Sequence, residues 1–388
     1  MKFVLCSLCV LVCLTSFTYA GVFIHAPAPN SNVSTTVQYV AKAQTSCSKG
    51  IAAMGIYAAP GKLVYIVHSS SLNTLLKFGA GTYNTVVQEW DNCGWSSSAK
   101  VTIHVGSSSG GGGGGGSVPR SKHVWMITEE NRSYESVIGS KYMPYFNSLA
   151  SKYGLATQYY ANRHSSLPAL MWLVAGQNVT TNNNTTFCHN ADNVVRHLLF
   201  HGMTWKSYQE DLPYSGFTGL SSGNYVRRHN PLIDFTDVCA PGQKFNSVPF
   251  THMANDIANH STANYVYITP NLQHDAHDGS RGQADAWLSQ QVPKILSMPE
   301  FQSGGDGLLF IVFDEGNLSP TDSRCNGWTS QGCGGRTATL VIGPKVKRGF
   351  KSQVVYHHEN LLRTVCDALG FASCPGAGTN AKPMSDFF

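Results

Sequence analysis

Two short apolar runs in this 388-residue chain end abruptly in acid. Residues 123–128 lead into Glu129, Glu130 and Asn131, and residues 308–313 lead into Asp314 and Glu315. A third polar concentration, His274, Asp275, His277 and Asp278, follows the apolar stretch 265–269, and a fourth, His357 and His358, precedes the last helical stretch. Carboxylate, amide and imidazole groups are the oxygen and nitrogen ligands of divalent metals. Any one of these side chains alone would read as a solvated loop residue; the set, gathered at one sheet edge, reads as a metal site. The polar turn Arg163, His164, Ser165, Ser166 adds a hydroxyl. A serine at a helix start faces backbone N–H groups that attract an anion, and a nearby cation lowers its pKa. The same serine also fits a simple N-cap ahead of Pro168.

The elements that must position these groups follow from periodicity. Runs 123–128 and 308–313 are short, β-branched and aromatic, the pattern of buried strands, and residues just past a strand's C-terminal end sit where open α/β sheets bind ligands. Further strands are expected at 204–208, 265–269 and 339–342, with helices at 143–153, 167–175, 284–296 and 359–369. Their alternation predicts an α/β domain with a mostly parallel sheet sandwiched by helices. The glycine-rich stretches 304–307 and 332–335 read as loops. Residues 107–117 are three serines, seven glycines and a serine, a linker with a reach of roughly 18 Å as a random coil. It places a linker at 107–120 between a first domain, 21–106, and a second, 121–388. The first alternates apolar and polar residues in short runs split by turns, as a small all-β sandwich does.

Residues 1–20 combine Lys2, an apolar stretch and the small-residue ending Ala20, which fits a secretory signal peptide better than a membrane anchor, the apolar stretch being short for a span. No other stretch is long and apolar enough to cross a membrane, so none is expected in the mature chain. Of eleven cysteines, Cys6, Cys9 and Cys13 leave with that leader, and eight remain. An even count in an exported chain points to disulfides, with Cys47 and Cys93 paired inside the first domain. Secretion, or a periplasmic location in a Gram-negative host, is expected. Glycosylation sequons stand at Asn32, Asn131, Asn178, Asn183, Asn184, Asn259 and Asn317. The formal charge of +5 comes without a Lys/Arg run, which gives no warrant for nucleic-acid binding.

The motifs also form an ordered series: 129–134 with 137–139, then 164–168, 205–208 with 210–213, 269–272, 275–278, 285–288, 313–316, and His358 with 361–364. Over residues 121–371 this series resembles the phosphoesterase family of bacterial phospholipases C and acid phosphatases, within the alkaline phosphatase superfamily. The resemblance implies an alkaline phosphatase-like fold, a divalent metal of unspecified identity held by Glu130, Asn131, Asp314 and Glu315, and Ser166 as a nucleophile that also faces the metal. It places His164, Asp275, His277, Asp278 and His358 around the phosphate; of these, a histidine such as His277 or His358, with an ordinary pKa near working pH, is expected to protonate the leaving group. Two positions depart from the family pattern: Ser165 stands for a proline, and Ala169 for an asparagine whose side chain would donate to the phosphoryl group. The first domain resembles the immunoglobulin-like modules of secreted bacterial enzymes, through 71–74 and 87–91, and is a candidate for binding a polymer or cell surface. The chain is thus expected to be a secreted, metal-dependent, acid phosphatase-like enzyme hydrolysing phosphate monoesters. The alternatives are a phospholipase C-type phosphodiesterase and a surface-binding protein with an inactive phosphoesterase domain.

Overall fold

The computed structural model describes residues 21–27, 29–33, 36–105, 117–239, 242–316 and 333–388. The leader, most of the linker, Asn317 and Cys325 lie outside the described residues. The chain separates into two compact units, Met1–Gly111 and Gly112–Phe388.

The first unit is all β. Strands Gly21–Ala26, Thr36–Gln44 and Ser71–Lys77 form one sheet, and Ser31–Val33, Lys62–Val67, Ile51–Ala59, Gly81–Asp91 and Ser96–Val105 form another. Alternate residues of the long strands, such as Val37, Tyr39 and Ala41 or Val101, Ile103 and Val105, meet in one apolar core, as the period of two requires. Cys47 and Cys93 are bonded. In the second unit Cys188 pairs with Cys239 and Cys366 with Cys374.

The second unit is built on eight strands: β1 Val124–Glu129, β2 Gly154–Ala161, β3 Trp205–Gln209, β4 Ser247–Pro249, β5 Tyr265–Thr269, β6 Leu308–Phe313, β7 Gly335–Ile342 and β8 Lys351–Tyr356. Their order is β4-β3-β5-β1-β6-β7-β2-β8. All neighbours run parallel except at β7, which is antiparallel to both β6 and β2. Strands β1, β5 and β6 are wholly buried, because the sheet is covered on both faces. Val124 and Met126 of β1 enter the core on one side, and Trp125 and Ile127 enter the core on the other. Helix α1 (Pro144–Lys152) packs with α4 (Arg281–Leu296), whereas α2 (Ser166–Ala175) packs with α5 (His358–Leu369). A shorter helix, α3, is Val194–Phe200. Every residue of α2 is buried; a helix apolar all round belongs in the interior. Gly176, left-handed at φ 62°, ends it.

The sequence reading needs correction in several places. Strands β2, β4 and β8 were not foreseen: β2 opens on glycine, β4 is three residues that end in proline, and β8 exposes Gln353, Val354 and Val355, so none carries an unbroken apolar run. The glycines at 332–335 are not simply a loop, since Gly335 begins β7. A Cβ on Gly334 would lie 2.2 Å from the Arg163 carbonyl oxygen. The missing side chain lets Gly334 press against the backbone that leads to His164 and Ser166, with Gly334 N–H donating to Ala161 O at 2.9 Å.

Asp285, in the series that suggested a catalytic region, has a supporting role. Its two carboxylate oxygens accept from Tyr145 N–H at 2.9 Å and Phe146 N–H at 2.8 Å, satisfying orphan donors at the start of α1. Replacing Asp285 with Ala is expected to lower the unfolding free energy by about 2 kcal/mol, read from urea denaturation. A loss under about 0.5 kcal/mol would contradict the capping role.

Candidate active site

Strands β1 and β6 run side by side with Val312 opposite Thr128 and Phe313 opposite Glu129. In-register parallel strands end together, so Glu130 and Asp314 leave the same sheet edge as neighbours. Asp314 N–H donates to Glu129 O at 3.0 Å, and Asn131 N–H donates to Asp314 Oδ1 at 2.9 Å. Asn131 makes this turn at φ 61°, a left-handed conformation that asparagine accepts more readily than most residues. Its contact with the cluster is through the backbone, and its side chain lies on the exposed rim. On the other side of β1, the loop after β5 is tied in by Glu130 N–H donating to Asp275 O at 2.8 Å.

Several carboxyl groups are thereby buried together. Glu130, Asp275 and Asp314 are fully buried and Glu315 is 4% exposed. Burial, reinforced by Asp314, pushes the Glu130 carboxyl well above its ordinary range. Burial and Glu315 do the same to Asp314. Asp275 is raised by burial to about 7. Both Glu130 oxygens and Asp314 Oδ2 lack a hydrogen-bond donor.

Ser166 opens α2 and is 2% exposed. Its Oγ points to Glu315 Oε1 at 3.5 Å, the long limit of a hydrogen bond. His164 Nδ1 contacts the other Glu315 oxygen, so one carboxylate links the imidazole and the hydroxyl. Ser165 is the N-cap, and its side chain makes no capping bond. Asn183 does that work instead, accepting from Leu167 N–H at 2.8 Å through Oδ1.

The other histidines divide. His358 is fully buried, and both ring nitrogens are occupied: Nε2 lies 2.8 Å from the Asp314 carbonyl oxygen and Nδ1 lies 2.9 Å from Tyr159 Oη. A carbonyl can only accept, so Nε2 carries the proton and Nδ1 accepts from the tyrosine. Burial holds the ring neutral, its pKa lowered to about 3. The expectation that His358 protonates a leaving group is therefore corrected; the ring braces the Asp314 backbone. His277 remains partly exposed, with Nδ1 2.7 Å from Asp278 Oδ1 and its backbone N–H on Asp275 Oδ1 at 2.7 Å.

Sequence reasoning missed His229. Its Nδ1 is 3.0 Å from Asp275 Oδ2 and its Nε2 is 3.4 Å from Glu130 Oε2, so it bridges the loops after β1 and β5. It sits in a short 3-10 turn, Arg227–His229, with no strand or helix period leading into it. Only the polar run ahead of Pro231 could have drawn notice. Glu129, set aside in favour of Glu130, is also fully buried, and burial raises its carboxyl well above its ordinary range.

The donor set fits a cation. Carboxylates buried without donors are costly unless protonated or paired with positive charge, and the orphaned oxygens of Glu130 and Asp314, with the Glu315 carboxylate beside them, are oxygen ligands that suit a hard or borderline divalent ion. Among the described residues the one tight cluster of three such side chains is Cys47, Asp91 and Cys93. Its cysteines form a disulfide, which excludes it as a metal site.

The chain is similar to known phosphatases. Over 286 residues, 73% of this chain and 88% of the relative, the chain is 29% identical to a phosphatidylinositol-3-phosphatase of Mycobacterium tuberculosis. It is 28% identical to a probable acid phosphatase of Kluyveromyces lactis, matching 63% of this chain but 57% of that longer protein. Among solved structures, an alkaline phosphatase superfamily protein from Vibrio parahaemolyticus is matched at 12% identity over 66% of this chain and 69% of that one, with a TM-score of 0.45. Residues 140–371 match the model of the phosphoesterase family; the chain belongs to that family and is a hydrolase of phosphoric esters.

Proposed function

We propose that the protein is a secreted, metal-dependent phosphomonoesterase that uses Ser166 as its nucleophile. The observation that carries this reading is the convergence of Glu130, Asp314 and Glu315 in one buried, donor-poor cluster with the Ser166 hydroxyl against Glu315. Relatives named as acid phosphatases and as a phosphatidylinositol-3-phosphatase support monoesters over diesters. Among the described residues, the disulfides Cys47–Cys93, Cys188–Cys239 and Cys366–Cys374 and the lack of any helix long and apolar enough to cross a membrane are compatible with export.

A divalent ion held by Glu130, Asp314 and Glu315, with Ser166 beside it and the Asn131 backbone holding Asp314 in place, would lower the pKa of the serine hydroxyl and offset charge on the phosphoryl oxygens. The chain's own groups do the rest. Ser166 Oγ attacks phosphorus in line; its proton passes to Glu315, and the bond from phosphorus to the leaving oxygen breaks. His277, oriented by Asp278, gives that oxygen a proton. Water then cleaves the phosphoserine, restoring the hydroxyl and releasing phosphate. His164 fixes the Glu315 carboxylate, and His229 and Asp275 keep the Glu130 loop in register.

Two outcomes test this reading. Ser166→Ala is expected to reduce p-nitrophenyl phosphate hydrolysis by at least about a thousandfold and to abolish the phosphoserine peptide that acid quenching traps in the parent enzyme. Retained turnover would remove the nucleophile assignment, and faster cleavage of bis-p-nitrophenyl phosphate by the parent would favour the diesterase alternative. Metal removal should also destabilise the protein in a pH-dependent way. A carboxyl whose folded pKa is raised loses folding stability as pH climbs from its unfolded value, near 4, through its folded one, about 7 for Asp275. Chelation is therefore expected to lower the melting temperature more at pH 8 than at pH 5, and equal shifts would show that no cation compensates the cluster.

A further inference from the structure

Beside the carboxylate cluster, on the far side of Asn131, lies a cavity of about 600 Å³ lined by Asn131, Arg132, Ser133, Ser136, Tyr142 and Arg281. Its character is opposite to that of the cluster. Arg132 reaches the Gly279 and Asn131 carbonyls at 3.3 and 3.4 Å. Arg281 donates to the Ser136 carbonyl and lies 5.3 Å from the centre of the Tyr142 ring. Among the described residues neither guanidinium has a carboxylate within 4 Å, unlike Arg196, Arg227, Arg336 and Arg363. The two are close enough that Arg281, after burial, lowers the pKa of Arg132. Like charges held together repel, a repulsion that Asp275 opposes without pairing with Arg132, and a guanidinium keeps a rigid fork of five donors, so carbonyl contacts leave donors over for an anion. Arg281 is also the first residue of α4, whose positive end favours negative charge.

We propose that Arg132 and Arg281 form a second anion subsite that binds a further phosphate group on the substrate, so that the preferred substrates are phosphate monoesters carrying a second phosphate. The proposal rests on the phosphomonoesterase reading above. Ser166, Asp314 and Glu315 do not line this cavity, so an anion on the arginines is not the group under attack. Asn131 joins the two regions, with its backbone on Asp314 and its side chain at the cavity rim. An ester reaching across Asn131 would place one phosphate at each. A phosphorylated lipid headgroup and a soluble bisphosphate share this chemistry.

The test uses the full chain as purified. Selectivity is the ratio of kcat/KM for the doubly to the singly phosphorylated partner, measured with fructose 1,6-bisphosphate against fructose 6-phosphate in solution. A second arm compares a phosphatidylinositol monophosphate with phosphatidic acid, both in phosphatidylcholine vesicles. Arg132→Gln and Arg281→Gln are each expected to lower the ratio about tenfold or more in the arm that supplies the natural class, with Arg281→Lys falling between. Ratios that move less than about twofold in both arms would overturn the subsite and leave the arginines as braces for the Ser136 and Gly279 loops. Binding of inorganic pyrophosphate, followed by calorimetry, does not depend on turnover and covers a glutamine variant that fails to fold. Arginine-dependent binding without hydrolysis of any ester would keep the subsite and defeat the catalytic reading. Hydrolysis with unmoved ratios and unchanged pyrophosphate affinity in Arg281→Lys would do the reverse.

Discussion

Burying several carboxyl groups in one place is the constraint around which the second unit is arranged. Glu130, Asp275 and Asp314 are fully buried at the C-terminal edge of three adjacent parallel strands, where mutual repulsion and lost hydration both oppose ionisation. The cluster persists because its backbone is over-determined. Strand pairing carries β1 and β6 to the same edge, and the Asn131 amide fastens Asp314. The Asp275 carbonyl fastens Glu130. A site held this rigidly is preorganised to receive positive charge, which is the form of assistance that phosphoryl transfer uses most.

Much of the polar chemistry nearby serves this rigidity rather than the reaction. The chain of contacts Tyr159 hydroxyl to His358 to Asp314 carbonyl lies wholly in the interior, where a neutral imidazole can donate at one nitrogen and accept at the other without adding charge. The Asn162 side-chain oxygen accepts from His358 N–H at 3.1 Å, joining the start of α5 to the segment that leads into Ser166. Glu210 plays a comparable part for the loop after β5, accepting from Asn271 N–H and contacting His274 Nδ1. Residues of catalytic type thus fall into two groups, those that face the cluster's open side and those that hold its walls.

Charge is also divided across short distances. The interior of the edge is acidic, and the adjoining cavity carries two guanidinium groups with no carboxylate within 4 Å among the described residues. Asn131 is the boundary between the two, and its left-handed backbone is what allows one residue to touch both. A dianionic ester laid across that boundary would meet positive charge at both ends once a cation is bound, one end from the ion and the other from arginine.

The sequence alone was enough to show the α/β class, the positions of β1, β5 and β6, a helix at 167–175 and the family motifs, because each rests on local periodicity or on residues adjacent in the chain. Glu130 with Asn131, and Asp314 with Glu315, were legible because strand ends bring neighbours in sequence to one place. What only the tertiary structure decided depends on contacts between distant segments. Burial made His358 a brace, since its partners Tyr159 and Asp314 are 199 and 44 residues away. His229 joined the cluster from a turn that has no pattern of its own. Asn183 capped the Ser166 helix from a loop marked only by a sequon. Strand β2 forms because it finds a place beside β7, and β8 because it finds one beside β2, not because their residues prefer it. Periodicity records what a segment does with its own neighbours, and the role of a buried polar group is set by what the rest of the chain places against it.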